Sequence, residues 1–251
     1  MSVIVALSGG MSSAWCAGWA MRNYSPETII LYFNDTKWEH RDLYRFLGDI
    51  EVLHNKKIVY DNDGRNPEEV FSDENFLGNN RVPICSRILK AERLQKYYQP
   101  GDTLVFGIGQ HEANRANRII QVYANLKKPC LLRFPLIEEK VTTAQIKDYL
   151  KVNSIKIPEL YALGFEHNNC SGGCIRAGKK QWAHLLRVLP EVYKQREDFE
   201  ESFRELNGKD VHFLKDTTLK HLREVIEMQP WMVFEEGETG SECIGICTTL
   251  A

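Results

Sequence analysis

Short apolar runs alternate with segments of helical periodicity along the first 150 residues of the chain. Residues 3–7 are an unbroken apolar run, which is typical of a strand buried on both faces, and further short strands are predicted at residues 27–33, 57–60, 102–107 and 131–136. Apolar residues at helical spacing follow these runs, at 14–21, 43–50, 81–98, 110–126 and 142–150. Alternating strands and helices predict right-handed crossovers. We therefore expect an α/β fold with a parallel five-stranded sheet and helices on both faces.

The pattern changes near residue 160. Residues 158–164 are typical of a connector, and helical periodicity continues at 179–189, 191–206 and 218–228. This change predicts an α/β nucleotide-binding domain at 1–160 and a helical, cysteine-containing region at 161–251. Within the first domain, residues 61–80 are polar and poorly periodic, which predicts a long flexible loop that could serve as a lid.

A glycine- and serine-rich loop joins the first strand to the first helix. Glycines let the backbone approach a bound group, while first-turn amides and serine hydroxyls donate hydrogen bonds to an anion. We therefore predict an anion site formed by Ser8, Gly9, Gly10, Ser12 and Ser13. A tight turn with Ser12 or Ser13 as helix N-cap is the alternative interpretation. The loop matches neither G-x-x-x-x-G-K-[ST] nor G-x-G-x-x-G, which excludes those two phosphate-binding motifs.

Further polar residues lie where the predicted strands end or the next helices begin. Asn34 and Thr36 follow the second strand, at the sheet edge where parallel sheets collect ligands. Cys85 and Lys90 lie at the start of the helix that follows the polar loop. These residues are candidates for the same site as the first loop.

Basic residues on the predicted helices have two interpretations. Arg115 lies early in a helix, where the macrodipole disfavours a cation by about 0.3–1 kcal/mol, and a bound anion would reverse that cost. Pairing with Glu112 is the alternative, and it suits Arg118 better than Arg115. Arg93 and Lys96 are typical of a solvated helix face.

Two C-x-x-x-C pairs, each with glycine between the thiols, predict a metal centre. Glycine lets a short loop turn both sulfurs toward one point, and four thiolates bind a tetrahedral zinc or a 4Fe-4S cluster. The four ligands would be Cys170, Cys174, Cys243 and Cys247. The alternative is a set of separate thiols, as we expect for Cys16 and Cys130. We favour iron–sulfur over zinc.

The composition excludes several classes of protein. Among 251 residues the net charge is −2, which argues against a general attraction to nucleic acid or anionic membranes. No apolar run predicts a membrane span or a signal peptide, so we expect a cytoplasmic protein without a membrane partner. Seven cysteines, an odd number, favour thiols or a metal over a disulfide framework.

The first loop resembles the S-G-G-x-D-S signature of the PP-loop ATP pyrophosphatases, with Ser12 where that signature usually carries Asp. In order along the chain, further motifs resemble the phosphoadenosine phosphosulfate reductase-like branch of that superfamily, from residue 3 to about 182. The matching segments are 34–36 with Glu39, Cys85-Ser86 with Lys90, Gly107, 112–115, Pro135-Leu136 with the threonine-capped helix, and 160–165 leading into Cys170 and Cys174.

This resemblance implies binding of ATP or a related adenine nucleotide, with Glu39 and Gly107 joining Asn34 and Thr36 at the site. Magnesium is a further expected cofactor, although Ser12 weakens that expectation. The resemblance also implies attack at the α-phosphorus with release of pyrophosphate, used for adenylation or sulfur transfer. Lys90, Arg115 and Cys85 are the catalytic candidates.

Two alternatives remain open. A sulfonucleotide reductase would need a Glu-Cys-Gly-Ile/Leu-His motif, whereas residues 242–247 read Glu-Cys-Ile-Gly-Ile-Cys. A non-catalytic nucleotide-binding module with a structural metal is the second. The acceptor is a small molecule or a nucleic acid, the latter suggested only weakly by a basic cluster at Lys179, Lys180, Arg187 and Lys194. The sequence leaves the oligomeric state open, with a homodimer as one candidate.

Overall fold

The computed structural model describes residues 1–234 and contains a five-stranded parallel sheet. The strand order is β3-β2-β1-β4-β5, which confirms the predicted fold class. The strands are β1 (Val3–Leu7), β2 (Ile29–Asn34), β3 (Ile58–Asp61), β4 (Thr103–Phe106) and β5 (Leu131–Arg133).

Helices surround this sheet and form most of the chain after it. They are α1 (Met11–Asn23), α2 (Arg41–His54), α3 (Pro67–Asp73), α4 (Ile84–Ser86), α5 (Glu92–Tyr97), α6 (Ala113–Ala124), α7 (Pro135–Glu138), α8 (Thr143–Val152), α9 (Glu159–Ala162), α10 (Lys179–Val188), α11 (Pro190–Asn207) and α12 (Leu219–Met228). A π-helical turn, Arg87–Ala91, joins α4 to α5. Within residues 1–234, no helix combines the length and apolar character needed to cross a membrane.

The order of the sheet reverses at its centre. The chain passes from β1 outward to β2 and β3, then crosses back to β4 on the other side of β1. Leu7 pairs in register with Phe33, and Ala6 pairs with Phe106. The loop after β1 therefore begins between the ends of β2 and β4, where open parallel sheets bind ligands.

Alternate residues of β1 point to opposite faces of the sheet and enter two different cores. Val3 and Val5 pack with α1, α2 and α8, while Ile4 packs with α5 and α6. Both faces are thus covered by helices, which explains why β1 is apolar at nearly every position.

A third core lies among the C-terminal helices. It combines residues of α10, α11 and α12 with earlier residues, including Trp38, Phe71 and Leu89. The packed residues therefore come from both sides of residue 160, and the division of the chain into two domains stays a prediction.

Two predicted elements differ from the structure. Residues 61–80 contain α3, so the prediction of one long loop was wrong. Asn66 and Glu69 form a capping box at the N-terminus of α3, which satisfies amides that a helix otherwise leaves unpaired. The fifth strand ends at Arg133 because Pro135 begins α7 instead of continuing the strand.

Candidate functional site

The glycine–serine loop is shaped by close packing against α2. Gly9 has a φ of +78°, and a Cβ atom there would lie 2.4 Å from Leu43 Cδ1. Glycine is the residue that adopts this conformation without strain. The helix α1 begins at Met11 with Gly10 as its N-cap and no side-chain capping bond, so the interpretation of Ser12 or Ser13 as N-cap was wrong.

Two of the three serines maintain the loop itself. Ser13 Oγ donates to the Gly10 carbonyl oxygen at 2.9 Å and accepts from Ser8 N at 3.1 Å. Since the single Ser13 proton points to Gly10, the 3.2 Å contact between the two hydroxyls has Ser8 Oγ as its donor. Both protons are therefore used inside the loop. Ser12 is the partly exposed serine at this helix start.

Gly107, at the end of β4, approaches the same helix start closely. A Cβ atom at Gly107 would lie 2.7 Å from Ser13 N and 2.8 Å from Ser13 Cα. These are backbone atoms, so a side chain could be accepted only by moving α1 or β4. Gly107 thus sets the distance between the first turn of α1 and the neighbouring strand end.

Helix α9 and the segment that follows it both contact the glycine–serine loop. Asn168 Nδ2 donates to the Gly9 carbonyl oxygen at 2.7 Å, and Tyr161 Oη accepts from Met11 N at 3.4 Å. Asn168 is 3% exposed, and its Oδ1 atom has no hydrogen-bond partner among the described residues. Sequence reasoning did not single out Asn168, although its position two residues before Cys170 was a signal.

Asn34 belongs to a hydrogen-bonded network at the ends of β2 and β3. Asn34 Nδ2 donates to Tyr32 Oη at 3.1 Å, Tyr32 donates to Asp61 at 2.5 Å, and Arg93 Nε donates to Asp61 at 2.9 Å. Burial alone would raise the pKa of Asp61, but the hydrogen bonds from Arg93 and Tyr32 outweigh it and lower that pKa. Arg93 is therefore an ion-pair partner, and the prediction of a solvated side chain was wrong.

Glu39 joins three parts of the chain in a buried cluster. Its Oε1 accepts from Thr36 Oγ1 at 2.9 Å and lies 3.5 Å from Lys90 Nζ. Its Oε2 accepts from Cys170 N at 2.8 Å. The Glu39 and Lys90 side chains are only 1% and 6% exposed. Lys90 lies in the π-helical turn, a distortion that is frequent at functional sites.

The structure brings three of the cysteines to one pocket. Its lining residues are Thr36, Trp38, Pro67, Pro83, Cys85, Ser86, Lys90, Cys170, Cys174, Ile175 and Arg176. The hydrogen bond with Cys174 and burial both raise the pKa of the Cys170 thiol, whereas the charge of Lys90 lowers it. Cys170 and Ser171 have φ values of +49° and +52°, so this loop holds two non-glycine residues in a conformation they seldom adopt.

The family model for the phosphoadenosine phosphosulfate reductase domain matches residues 2–176. The chain belongs to this family. Its members bind adenine nucleotides, and they are generally enzymes. No curated protein and no solved structure matches the chain.

The match to the phosphoadenosine phosphosulfate reductase domain family ends two residues after Cys174. It therefore includes the glycine–serine loop and the thiol pocket, while α10, α11 and α12 lie beyond it. Cys243 and Cys247, the other two predicted metal ligands, lie outside the described residues.

Arg115 has a partner within its own helix start. Its side chain is 5% exposed, and Nη1 donates to Glu112 Oε1 at 2.7 Å. The Glu112 pairing, which the sequence favours less for Arg115 than for Arg118, is therefore present at Arg115, and Glu112 is a carboxylate that stabilises this cation at the helix start. A ligand that Arg115 contacts would share the guanidinium with this carboxylate.

Charged groups beyond Cys174 are largely neutralised. Lys179 pairs with Asp216 at 2.7 Å, and Lys194 pairs with Asp198 at 2.6 Å. This pairing weakens the basic cluster suggested for nucleic acid. The acidic trio Glu197, Asp198 and Glu201 lies together on α11, but each carboxylate contacts a lysine or arginine, with Lys220 on Glu201.

Proposed function

We propose that the chain is a PP-loop enzyme that binds ATP or a related adenine nucleotide and uses the neighbouring thiols for sulfur transfer to an acceptor. The observation that carries this proposal is the pair of contacts made by residues 168–170. Asn168 contacts the carbonyl of Gly9, and Cys170, two residues later, contacts Glu39. The phosphate loop and the thiol pocket are thus linked through one short piece of backbone, which supports joint use of nucleotide and sulfur.

In the proposed reaction, an acceptor atom forms a bond to the α-phosphorus while the bond to the bridging oxygen breaks and pyrophosphate leaves. The backbone of the glycine–serine loop and the Ser12 hydroxyl would hold the leaving pyrophosphate. Lys90 and Arg115 would supply positive charge, as preorganised donors do at transferring phosphoryl groups. Both cations already have carboxylate partners, which fix their positions before a nucleotide arrives.

The thiols fit a metal centre in their chemistry. Cys170 and Cys174 line the same pocket, and Cys174 is close enough to raise the pKa of the Cys170 thiol. Cys85 lines the same pocket, and the sequence predicts Cys243 and Cys247 as further ligands. A zinc ion bound here would have a structural role, whereas an iron–sulfur cluster would supply redox or sulfur chemistry.

The test starts from anaerobically purified protein, whose iron, zinc and labile sulfide are measured first. ATP binding is then measured by calorimetry, and attack at the α-phosphorus is measured as pyrophosphate release with small-molecule and nucleic-acid acceptors. Lys90→Met should abolish pyrophosphate release, while Lys96→Met, on the same helical segment, should retain it. Tight ATP binding without pyrophosphate release under any condition would favour a non-catalytic nucleotide-binding module instead.

A sulfonucleotide reductase is the second candidate, and membership of the phosphoadenosine phosphosulfate reductase domain family favours it. The Cys243 thiolate would attack the sulfate sulfur, the bond from that sulfur to the phosphate oxygen would break, and the nucleotide would leave with a free phosphate. A dithiol donor such as thioredoxin would then reduce the resulting S-sulfocysteine, which releases sulfite and regenerates the Cys243 thiol as the donor becomes a disulfide. Sulfite release that depends on thioredoxin and disappears in Cys243→Ser would establish this activity. The same protein would then release no pyrophosphate from ATP.

A cytoplasmic location belongs to the same proposal. The five cysteines among the described residues form no disulfide with one another, as expected for a chain in a reducing compartment.

A further inference from the structure

A buried arginine from α11, Arg196, lies beside the loop that joins Cys170 to Cys174. The Arg196 guanidinium carbon is 3.4 Å from the centroid of the Trp38 ring, within the range of a cation–π contact. Its Nη1 donates to Glu68 Oε1 at 3.0 Å, and the Arg196 side chain is 7% exposed. Arginine is seldom buried unless it is paired, and the ion pair with Glu68 is what allows Arg196 to be buried here.

The same side chain contacts the loop between the two cysteines. A Cβ atom at Gly173 would lie 3.6 Å from Arg196 Cγ and 3.2 Å from Leu185 Cδ2. Ser171 Oγ donates to the Trp38 carbonyl oxygen at 2.9 Å. The loop, Trp38 and Arg196 therefore pack as one unit: the aliphatic part of Arg196 lies beside Gly173, and its guanidinium lies over the Trp38 ring.

Thiolates at Cys170 and Cys174 would add negative charge to the loop that packs against Trp38 and Arg196. Lys90 is matched by Glu39, and Arg196 is matched by Glu68, so these four charges sum to zero, while Arg176 is a further cation that lines the pocket. Arg196 Nε, a buried donor, has no hydrogen-bond partner among the described residues. Burial lowers the pKa of Arg196, while the charges of Glu68, Cys170 and Glu39 act in the opposite direction, which places Cys170 among its electrostatic neighbours.

We propose that Arg196 is a positioning residue for the thiol centre, holding the Cys170–Cys174 loop and supplying the positive charge that favours metal-bound thiolates there. This inference rests on the proposed metal-binding role of the thiols. It assigns part of the centre to α11, outside the residues that the family model matches. The C-terminal helices are then a component of the site and not an appended region.

Two variants separate this role from ordinary structural support. Arg196→Met keeps the length of the side chain and removes its charge, while Glu68→Gln breaks the same ion pair and leaves the arginine in place. If the ion pair only supports the fold, both variants should weaken the centre equally. If Arg196 acts on the thiolates, only the arginine variant should do so, since removing a nearby negative charge does not disfavour thiolate binding to a cation.

The experiment is a competition for Zn²⁺ between the full reduced chain and a chromophoric chelator, without oxygen. We expect Arg196→Met to lower the zinc affinity about 10- to 100-fold, the range of changes next to metal ligands. Arg196→Lys should restore most of it, and Glu68→Gln should bind at least as tightly as the unmodified chain. Circular dichroism melting confirms that each variant is folded.

The outcomes are distinguishable. Equal losses in Arg196→Met and Glu68→Gln, or an unchanged affinity in Arg196→Met, would overturn the role of Arg196 and leave the metal centre standing. Failure of the unmodified chain to bind zinc would overturn the metal centre together with this inference. If Arg196→Met does not fold, Glu68→Gln decides alone, because weaker zinc binding in that variant contradicts the proposal.

Discussion

Asn168 Nδ2 donates a 2.7 Å hydrogen bond to the carbonyl oxygen of Gly9, across 159 residues of sequence. The bond fixes the peptide that follows Gly9, whose φ is +78°. Because the next residues begin α1, the orientation of this peptide sets which amides of the helix start are available to an anion. The buried amide of Asn168 thus fixes the shape of the glycine–serine loop from a distant part of the chain.

Replacing Asn168 should weaken nucleotide binding. Asn168→Asp keeps the shape but turns the donor into an acceptor that faces the Gly9 carbonyl. A lost buried hydrogen bond costs about 1–3 kcal/mol, and we expect ATP affinity measured by calorimetry to fall roughly tenfold or more as a result. Asn153 is a matched control, because its Nδ2 also donates to a backbone carbonyl at 2.7 Å. Asn153→Asp should leave ATP affinity unchanged, and an equal loss in both variants would contradict the role of Asn168.

Adding a methyl group at Gly107 should disrupt the same loop. The new Cβ in Gly107→Ala would lie 2.7 Å from Ser13 N, and neither backbone can move without opening the sheet or shifting α1. We expect a loss of about 1–3 kcal/mol in the free energy of unfolding, measured by urea denaturation, together with weaker ATP binding. Gly48, on α2, has nothing within 4 Å of its added Cβ. Gly48→Ala should therefore stabilise the chain by about 0.5–1 kcal/mol, and a loss there would show that glycine replacement harms this fold generally.

The alternating pattern of the sequence was sufficient for the sheet but not for these contacts. Val3, Ile4 and Val5 are apolar because the strand is covered on both faces, and this requirement is visible in the residues themselves. The segment Asn66-Pro67-Glu68-Glu69 also has the sequence of a helix N-terminus, with an N-cap asparagine, a proline at the first helical position and a capping-box glutamate. The polarity of residues 61–80 led to the wrong prediction of a loop there. Local chemistry of this kind can be recovered from a single sequence.

Partners that are distant in sequence could not be predicted in the same way. Arg93 looks like any solvated arginine until Asp61, 32 residues earlier, is found beside it. Arg196 meets Glu68 across 128 residues, and nothing in the periodicity of either helix indicates that contact. The glycine–serine loop could therefore be singled out from the sequence as a candidate site, whereas the distant groups that contact it could not.

Acid should weaken the chain partly through Asp42. This carboxylate accepts from Arg45 at 2.6 and 2.9 Å and from Glu159 N at 2.8 Å. The Arg45 hydrogen bond, despite the opposing effect of burial, lowers the pKa of Asp42 from 3.8 to about 2. Because the folded pKa is depressed, the stabilisation is present above pH 4 and is lost as the pH falls through 2. We estimate it at about 1–2 kcal/mol.

The measurement for Asp42 is the free energy of unfolding in urea between pH 2 and 7. Asp42→Asn should lower stability at pH 7 and flatten the dependence between pH 4 and 2. Asp49 offers a comparison, since it also pairs with Arg45 but is 39% exposed. Asp49→Asn should change the curve much less, and equal effects of the two replacements would show that the Glu159 contact contributes nothing.

Glu39 and Lys90 should behave as one energetic unit. Both are buried and lie 3.5 Å apart, so removing one charge leaves the other buried without this ion-pair partner. Breaking such a pair costs about 3–5 kcal/mol. We expect Glu39→Gln and Lys90→Met each to approach that loss in urea denaturation. Glu39→Gln also replaces one acceptor oxygen by an amide NH₂, so one of the donors to Glu39, such as Cys170 N, is no longer matched by an acceptor.

The double variant should lose less stability than the sum of the two single variants, with a coupling of at least about 1 kcal/mol. The pair of Lys179 and Asp216, both exposed at the surface, provides the control cycle, where surface solvation limits coupling to about 0–1 kcal/mol. Strict additivity at Glu39 and Lys90 would mean that the two charges are compensated by other groups, and Lys90 could then serve a nucleotide without its carboxylate partner.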